Sequence, residues 1–166
     1  MTEPGVRRGR LEDVDAALLL FAKLDSFERD WRVFTPRSTA VGDTRERYRR
    51  LVVADDGILV VAEAGGRLVG LGTGRITKPS SWSDELALEV ANVYVDTSFR
   101  RQGVGRAIVA KLVEFAFERG LERLVLRLFA PNRDAEAFWS KLGFEPRLIQ
   151  FTARTDRLRD LGPHGD

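Results

Sequence analysis

Residues 89–109 read EVANVYVDTSFRRQGVGRAIV, from Glu89 to Val109. An apolar run ends at Val95, Asp96-Thr97 breaks it, and a basic loop follows. Beyond two glycines one residue apart, Val104, Ile108, Leu112, Phe115 and Ala116 recur at helical spacing. The pattern predicts a strand, a loop, and a helix that starts on Gly103-Val104-Gly105. The first turn of a helix carries N–H groups without partners and the positive end of the helix dipole. Glycine lets a bulky anion approach those amides, and Arg100, Arg101, Gln102 and Arg106 add charge and forked donors. The arrangement points to a diphosphate site. A tight turn with solvated arginines is the plainer alternative, and a bare Gly-x-Gly would favour it. The basic and amide side chains just ahead, between a strand and an amphipathic helix, favour the anion.

Two familiar nucleotide motifs fail on named residues. A dinucleotide fingerprint needs glycine or alanine where Ile108 stands. A P-loop needs Gly-Lys-Ser/Thr, which the chain lacks.

The chain has 166 residues, 43% of them hydrophobic and 31% charged, which suits one soluble globular domain spanning 1–166 with a polar tail from 155. It contains no cysteine and a single histidine, His164, in a Gly/Pro-flanked tail. Thiolate chemistry, disulfides, a histidine triad and a histidine metal cluster are therefore set aside, and no metal is expected. No apolar run is long enough to span a bilayer, and the first ten residues lack a signal-peptide core, so a cytoplasmic protein without a membrane partner is expected. Net charge is +2, with an isoelectric point near 9.3. That balance alone does not argue for nucleic acid, and none is expected as a partner. Arg45, Arg47, Arg49 and Arg50 resemble a nucleic-acid patch, but they spread around a helix axis and read as a solvated face.

Along the chain, Gly5 to Arg10 suggests a short edge strand. A helix opens at Glu12-Asp13 and carries Val14, Leu18, Phe21 and Leu24 at helical spacing, with the pattern breaking between Asp25 and Gly42. A second helix starts at Asp43-Thr44. Ile58–Ala64 and Arg67–Ile76 read as two strands joined by Gly65-Gly66, a strong hairpin signal. After the strand Glu89–Val95 and the helix that stops at Gly120, Arg123–Phe129 reads as a further strand. Pro131-Asn132 opens a short helix with Ala135, Phe138, Trp139 and Leu142 on one stripe, stopped by Gly143. Arg147–Ala153 reads as a last strand. The order gives a single α+β, or mixed α/β, fold.

Three segments in order resemble one family. Arg100-Arg101-Gln102-Gly103-Val104-Gly105 looks like the acyl-CoA signature of the Gcn5-related N-acetyltransferase (GNAT) superfamily. NVYVD at 92–96 is similar to its fourth strand, and NRDAEAFWSKLGFE at 132–145 to its closing motif. The resemblance covers Ile58 to Thr152; the earlier part matches only by pattern. It implies a strongly bent mixed sheet flanked by helices, splayed between the fourth strand and the fifth. It also implies acetyl-CoA as co-substrate. The pantetheine arm would bond backbone at Val93 and Val95, the pyrophosphate would rest on amides of Arg101 to Arg106, and Asn132 would reach the ligand while capping its helix.

Direct transfer to a primary amine of a small molecule or peptide needs a base, and no cysteine is required. Glu89 lies six residues before Val95 and, by strict alternation, shares a face with Val93 and Val95. Members acting on histones carry a glutamate at the same offset, so the resemblance makes Glu89 the base; a surface carboxylate is the plainer reading. Asp84 and Glu85 could draw in a cationic acceptor. Many members place a tyrosine where this chain has Trp139, whose indole is no proton source; Trp139 reads as core. Tyr94 has the opposite parity to Glu89 and is expected to face away, which leaves the acid unassigned. Trp31, Phe34 and Trp82 would line the acceptor pocket or, equally, a homodimer interface. The rival from another class is a GNAT-fold module that senses acyl-CoA without turnover.

Overall fold

The computed structural model describes residues 4–31, 33, 40–79 and 83–161, and Phe34, Trp82 and His164 lie outside the described residues. The chain divides into two compact units, 1–129 and 130–166. The first unit holds a five-stranded sheet in the order β1-β2-β3-β4-β5. β1 (Gly5–Arg8), β2 (Gly57–Ala64), β3 (Arg67–Ile76) and β4 (Leu88–Val95) pair antiparallel in turn, and β5 (Leu124–Leu126) joins β4 in parallel. The mixed α/β class read from the sequence is the one observed. Gly65 and Gly66, at φ 58° and 74°, form the two-residue turn between β2 and β3, where a side chain would be strained.

α1 (Val14–Arg29) and α2 (Ala40–Val53) cover one face of the sheet. Val14, Ala17, Leu18, Leu20 and Leu24 of α1 and Tyr48 and Leu51 of α2 form one cluster with Leu59, Val61, Leu71 and Tyr94. α3 (Val104–Glu118) lies on the other face and buries Ile108, Leu112 and Phe115. Its approach is close because β3 carries Gly72 there. A Cβ on Gly72 would sit 2.3 Å from Ile108 Cγ2, so nothing larger than hydrogen fits without moving the helix.

β4 breaks alternation once. Thr73 pairs with Asn92 and Gly74 with Val90, so Ala91 is extra on β4, a bulge. Residues paired across two strands share a face. Val93 and Val95 face α3 with their partners Gly72 and Gly70, both of which lie against Ile108. Tyr94, paired with Leu71, faces α1 and α2. Glu89, paired with Arg75 just before the bulge, lies on that same side. Strict alternation put Glu89 with Val93 and Val95 and turned Tyr94 away from it; the bulge reverses both.

The elements differ from the sequence reading in four further places. α1 continues through Asp25 to Arg29, its last turn spanned by an Arg29 Nε to Asp25 Oδ2 ion pair of 2.7 Å. α2 begins at Ala40 rather than Asp43. β5 spans three residues, not the seven of Arg123–Phe129. In the second unit, α4 (Arg133–Lys141) is capped by Asn132, whose Oδ1 accepts the Ala135 N–H at 3.0 Å. Trp139 is buried with its ring edge-on to Phe144 at 4.9 Å, the core role expected of it. The strand expected over Arg147–Ala153 does not form, and Leu148, Ile149 and Phe151 are exposed. Strand-forming composition satisfies no backbone group by itself, and no strand among the described residues of this unit offers a ladder.

Candidate functional site

The parallel pairing between β4 and β5 ends at Val90 with Leu126, although β4 runs on to Val95. β5 itself ends there, so beyond Val90 this side of β4 has no strand partner among the described residues. The Asn92 amide reaches the Thr73 hydroxyl at 3.1 Å, and the Asp96 amide reaches the Val69 carbonyl at 2.8 Å. Both point toward β3. Backbone groups alternate along a strand, so those of Val93 and Val95 point to the open edge. There the Val95 carbonyl accepts Arg100 Nε at 2.9 Å.

Asp96 fixes the exit from β4. Its carboxylate accepts the Thr97 amide at 2.9 Å and Lys23 Nζ of α1 at 2.9 Å. The bond from Lys23 holds the Asp96 carboxyl below the usual carboxylate range. In the loop that follows, Arg100 packs over Tyr94, and Gln102 Nε2 donates to the Ser98 carbonyl at 2.9 Å. Two of the side chains credited with anion binding thus also close the loop on itself. Arg101 and Arg106 are exposed and make no ion pair among the described residues.

Arg101 has φ 63° and Gly103 φ 83°, both left-handed. A non-glycine residue there costs of order 1 kcal/mol, and alternating hands turn successive amides toward one concavity. The first well-formed bond of the helix start runs from the Ala107 amide to the Gly103 carbonyl, 3.0 Å. The amides of 101–106 make none among the described residues. Six N–H groups at the positive end of α3, with two cations beside them, are an arrangement whose charge and donors suit an extended anion. The residues fit a diphosphate, and the open edge at Val93 and Val95 fits an amide-bearing chain.

Glu89 is partly exposed on the α1 side of β4, and its Oε1 accepts Arg127 Nη2 at 2.8 Å. Glu85 pairs with Arg123 at 2.7 Å, so it already has a cation, and Asp84 is exposed. Trp31 lies one turn beyond α1 with its ring edge-on to Phe27 (4.9 Å) and to Phe129 (6.1 Å). Asn132 belongs to the second unit.

Sequence reasoning missed three groups. Arg127, two residues past the partner of Glu89, is one. Tyr48 and Thr73 are another: the Tyr48 hydroxyl and Thr73 Oγ1 lie 3.2 and 3.3 Å from Asn92 Oδ1, fixing that amide at the bulge. Burial pushes the Tyr48 phenol well above its ordinary range. Glu28 is the third, four residues beyond Leu24 on the buried stripe of α1, a spacing visible in the sequence. Among the described residues no three His, Cys, Asp or Glu side chains converge as a metal site, and no helix is long and apolar enough to cross a membrane.

The chain is similar to known proteins in sequence and in fold. The chain is 29% identical over 102 residues to an uncharacterised N-acetyltransferase of Methanocaldococcus jannaschii, covering 61% of this chain and 45% of that one. It is 28% identical over 135 residues to a mycothiol acetyltransferase of Amycolatopsis mediterranei, covering 80% and 43%. It is also 37% identical over 59 residues to the ribosomal protein bS18-alanine N-acetyltransferase of Escherichia coli, covering 36% and 40%. Each match spans less than half of the relative's length. The fold superposes on a Bacillus halodurans protein with a TM-score of 0.81 at 16% identity, covering 90% and 98% of the two chains. A ribosomal-protein-alanine N-acetyltransferase of Brucella melitensis superposes with 0.68 at 19%, covering 92% and 99%. The acetyltransferase (GNAT) family pattern matches residues 24–144, which include α1 from Leu24, the open edge of β4, the amide turn and α4. The chain belongs to the acetyltransferase (GNAT) family.

Proposed function

We propose that this chain is an N-acetyltransferase that binds acetyl-CoA and transfers the acetyl group directly to a primary amine. The observation that carries the reading is the run of amides from 101 to 106 without hydrogen bonds, set beside the open edge of β4. Acetyl-CoA, when bound, supplies an activated thioester. The amides of Arg101, Gln102, Gly103, Val104, Gly105 and Arg106 hold the diphosphate, with the Arg101 and Arg106 guanidinium groups balancing its charge. Arg100 braces the loop through the Val95 carbonyl. Val93 and Val95 present backbone groups to the pantetheine arm, with Asn132 assigned to the ligand from the sequence.

An ammonium cannot attack a carbonyl, so the acceptor must lose a proton first. Glu89 receives it, directly or through a water, and Arg127 fixes the direction of the carboxylate. Trp31 and Asp84 stand at the acceptor side, with Phe34 and Trp82 assigned there from the sequence. The relatives named above include an enzyme for a ribosomal protein's alanine, and solved neighbours include an aminoglycoside acetyltransferase from a soil metagenome. These names support an amine on a small molecule or peptide.

Two measurements test the reading. Acetyl-CoA should raise the melting temperature, and Gly105→Asp should abolish the rise by placing a carboxylate among the amides. Thiol release against amine, amino-acid, aminoglycoside and peptide panels then separates an enzyme from a sensor. A sensor is the reading favoured by the absence of a phenol at position 139: it would show the thermal shift and no thiol release.

A further inference from the structure

α1 ends with a carboxylate where its core stripe predicts an apolar side chain. Leu20 and Leu24 are buried, and Glu28 continues the same stripe one turn later, half-buried. Its neighbour Asp25 is matched by Arg29 at 2.7 Å. Glu28 has no cation partner and no side-chain hydrogen bond among the described residues. Burial, with Asp25 adding to it, holds its carboxyl above the usual carboxylate range. A half-buried charge without a partner weakens the fold that carries it.

What surrounds Glu28 along the chain suits a cation. The Trp31 amide donates to the Glu28 carbonyl at 3.2 Å, so the helical turn continues and sets Trp31 one turn above Glu28. The Trp31 ring stands edge-on between Phe27 and Phe129, at 71° and 77°. Phe129 lies two residues past Arg127, the partner of Glu89. The chain thus links the end of α1 to Glu89 on β4 through Trp31, Phe129 and Arg127. Aromatic faces attract ammonium groups, and the negative end of the α1 dipole lies at the same place.

We propose that the C-terminal end of α1 is the receiving site for the acceptor: Glu28 takes its positive charge, and Trp31 with Phe27 and Phe129 takes an aromatic or bulky apolar body. This rests on the acetyl-transfer reading for its biological use, although the binding itself does not need turnover. The acceptor class is then an arylalkylamine or a compound like it, rather than a polyhydroxylated amine with no apolar face.

The test uses two probes and two variants of the full chain. Phenethyltrimethylammonium cannot be acetylated, so its calorimetric Kd reads the site alone. Phenethylamine with acetyl-CoA reads KM and kcat. Glu28→Gln should raise the Kd of the quaternary probe about tenfold, the order of one lost charge pair. It should raise KM for phenethylamine similarly with kcat and the acetyl-CoA thermal shift unchanged. Trp31→Leu should weaken both probes as well. The melting temperature of Glu28→Gln should stay level or rise, because an uncompensated charge has been removed. Equal Kd values for wild type and Glu28→Gln overturn the proposal, as does a melting temperature several degrees lower, which would make Glu28 a structural residue. If the quaternary probe binds as expected while no amine releases thiol, the site stands and the acetyl-transfer reading falls.

Discussion

Arg7 binds both oxygens of Asp13, at 2.7 and 3.0 Å, and Glu63 at 2.9 Å, and the Arg10 amide adds a bond of 2.7 Å to Asp13. Arg7 holds the Asp13 carboxyl below the usual range. A lowered carboxylate contributes stability above its unfolded value, near 3.8, and loses it as pH falls through the folded value. Asp13→Asn should cost about 1–3 kcal/mol at pH 7 and less at pH 3, read by urea unfolding at both values. An unchanged difference between the two would remove Asp13 as the source. At Glu89 the question is chemical. Glu89→Gln should cut turnover by roughly 10²- to 10⁴-fold and leave the acetyl-CoA thermal shift in place; unchanged turnover would rule it out as the base. Arg127 is 84% exposed, so its pair with Glu89 adds little to stability. A fall in kcat in Arg127→Ala at constant melting temperature would mark it as a positioning residue.

Between elements, the tightest constraint is α3 on β3. Gly72→Ala puts a methyl into Ile108 and should destabilise the protein by about 1–3 kcal/mol, the scale of overpacking. Since α3 carries the amide turn at its start, acetyl-CoA affinity should fall with it; denaturation and calorimetry read the two losses. The hairpin at Gly65-Gly66 and the turn at Gly103 could be read from the sequence because each depends on a few adjacent residues with special backbone freedom. The extension of α1 could not, since Asp25 to Arg29 carries charges that hide a helix later supported by the Asp25–Arg29 pair. The face of Glu89 was misassigned for a different reason: alternation assumes no bulge, and nothing in EVANVYV marks Ala91 as the extra residue. Glu28 went unseen because a charged residue was not counted on an apolar stripe.

Over the whole molecule, 27 basic side chains face 25 acidic ones. Outside the amide turn, several arginines among the described residues are matched one by one: Arg8 with Glu118, Arg45 with Asp15, Arg50 with Glu46, Arg75 with Asp56 and Arg123 with Glu85. Positive charge matched in dispersed pairs offers a phosphate backbone little to follow. Fluorescence anisotropy with labelled duplex DNA should show no binding that survives 150 mM salt; retention there would revive a nucleic-acid role. The sheet also divides two layers, α1 with α2 on one side and α3 on the other, and β4 addresses both through one extra residue. Removing Ala91 would nonetheless turn nothing over: Val90 opposite Gly74 and Asn92 opposite Thr73 already lie on alternate faces, so the shortened β4 would pair without interruption and each side chain would keep its layer. What would go is the local bend between Val90 and Asn92, at the place where pairing with β5 stops. A single codon lost there would preserve which residue addresses which layer and straighten the strand that presents the open edge.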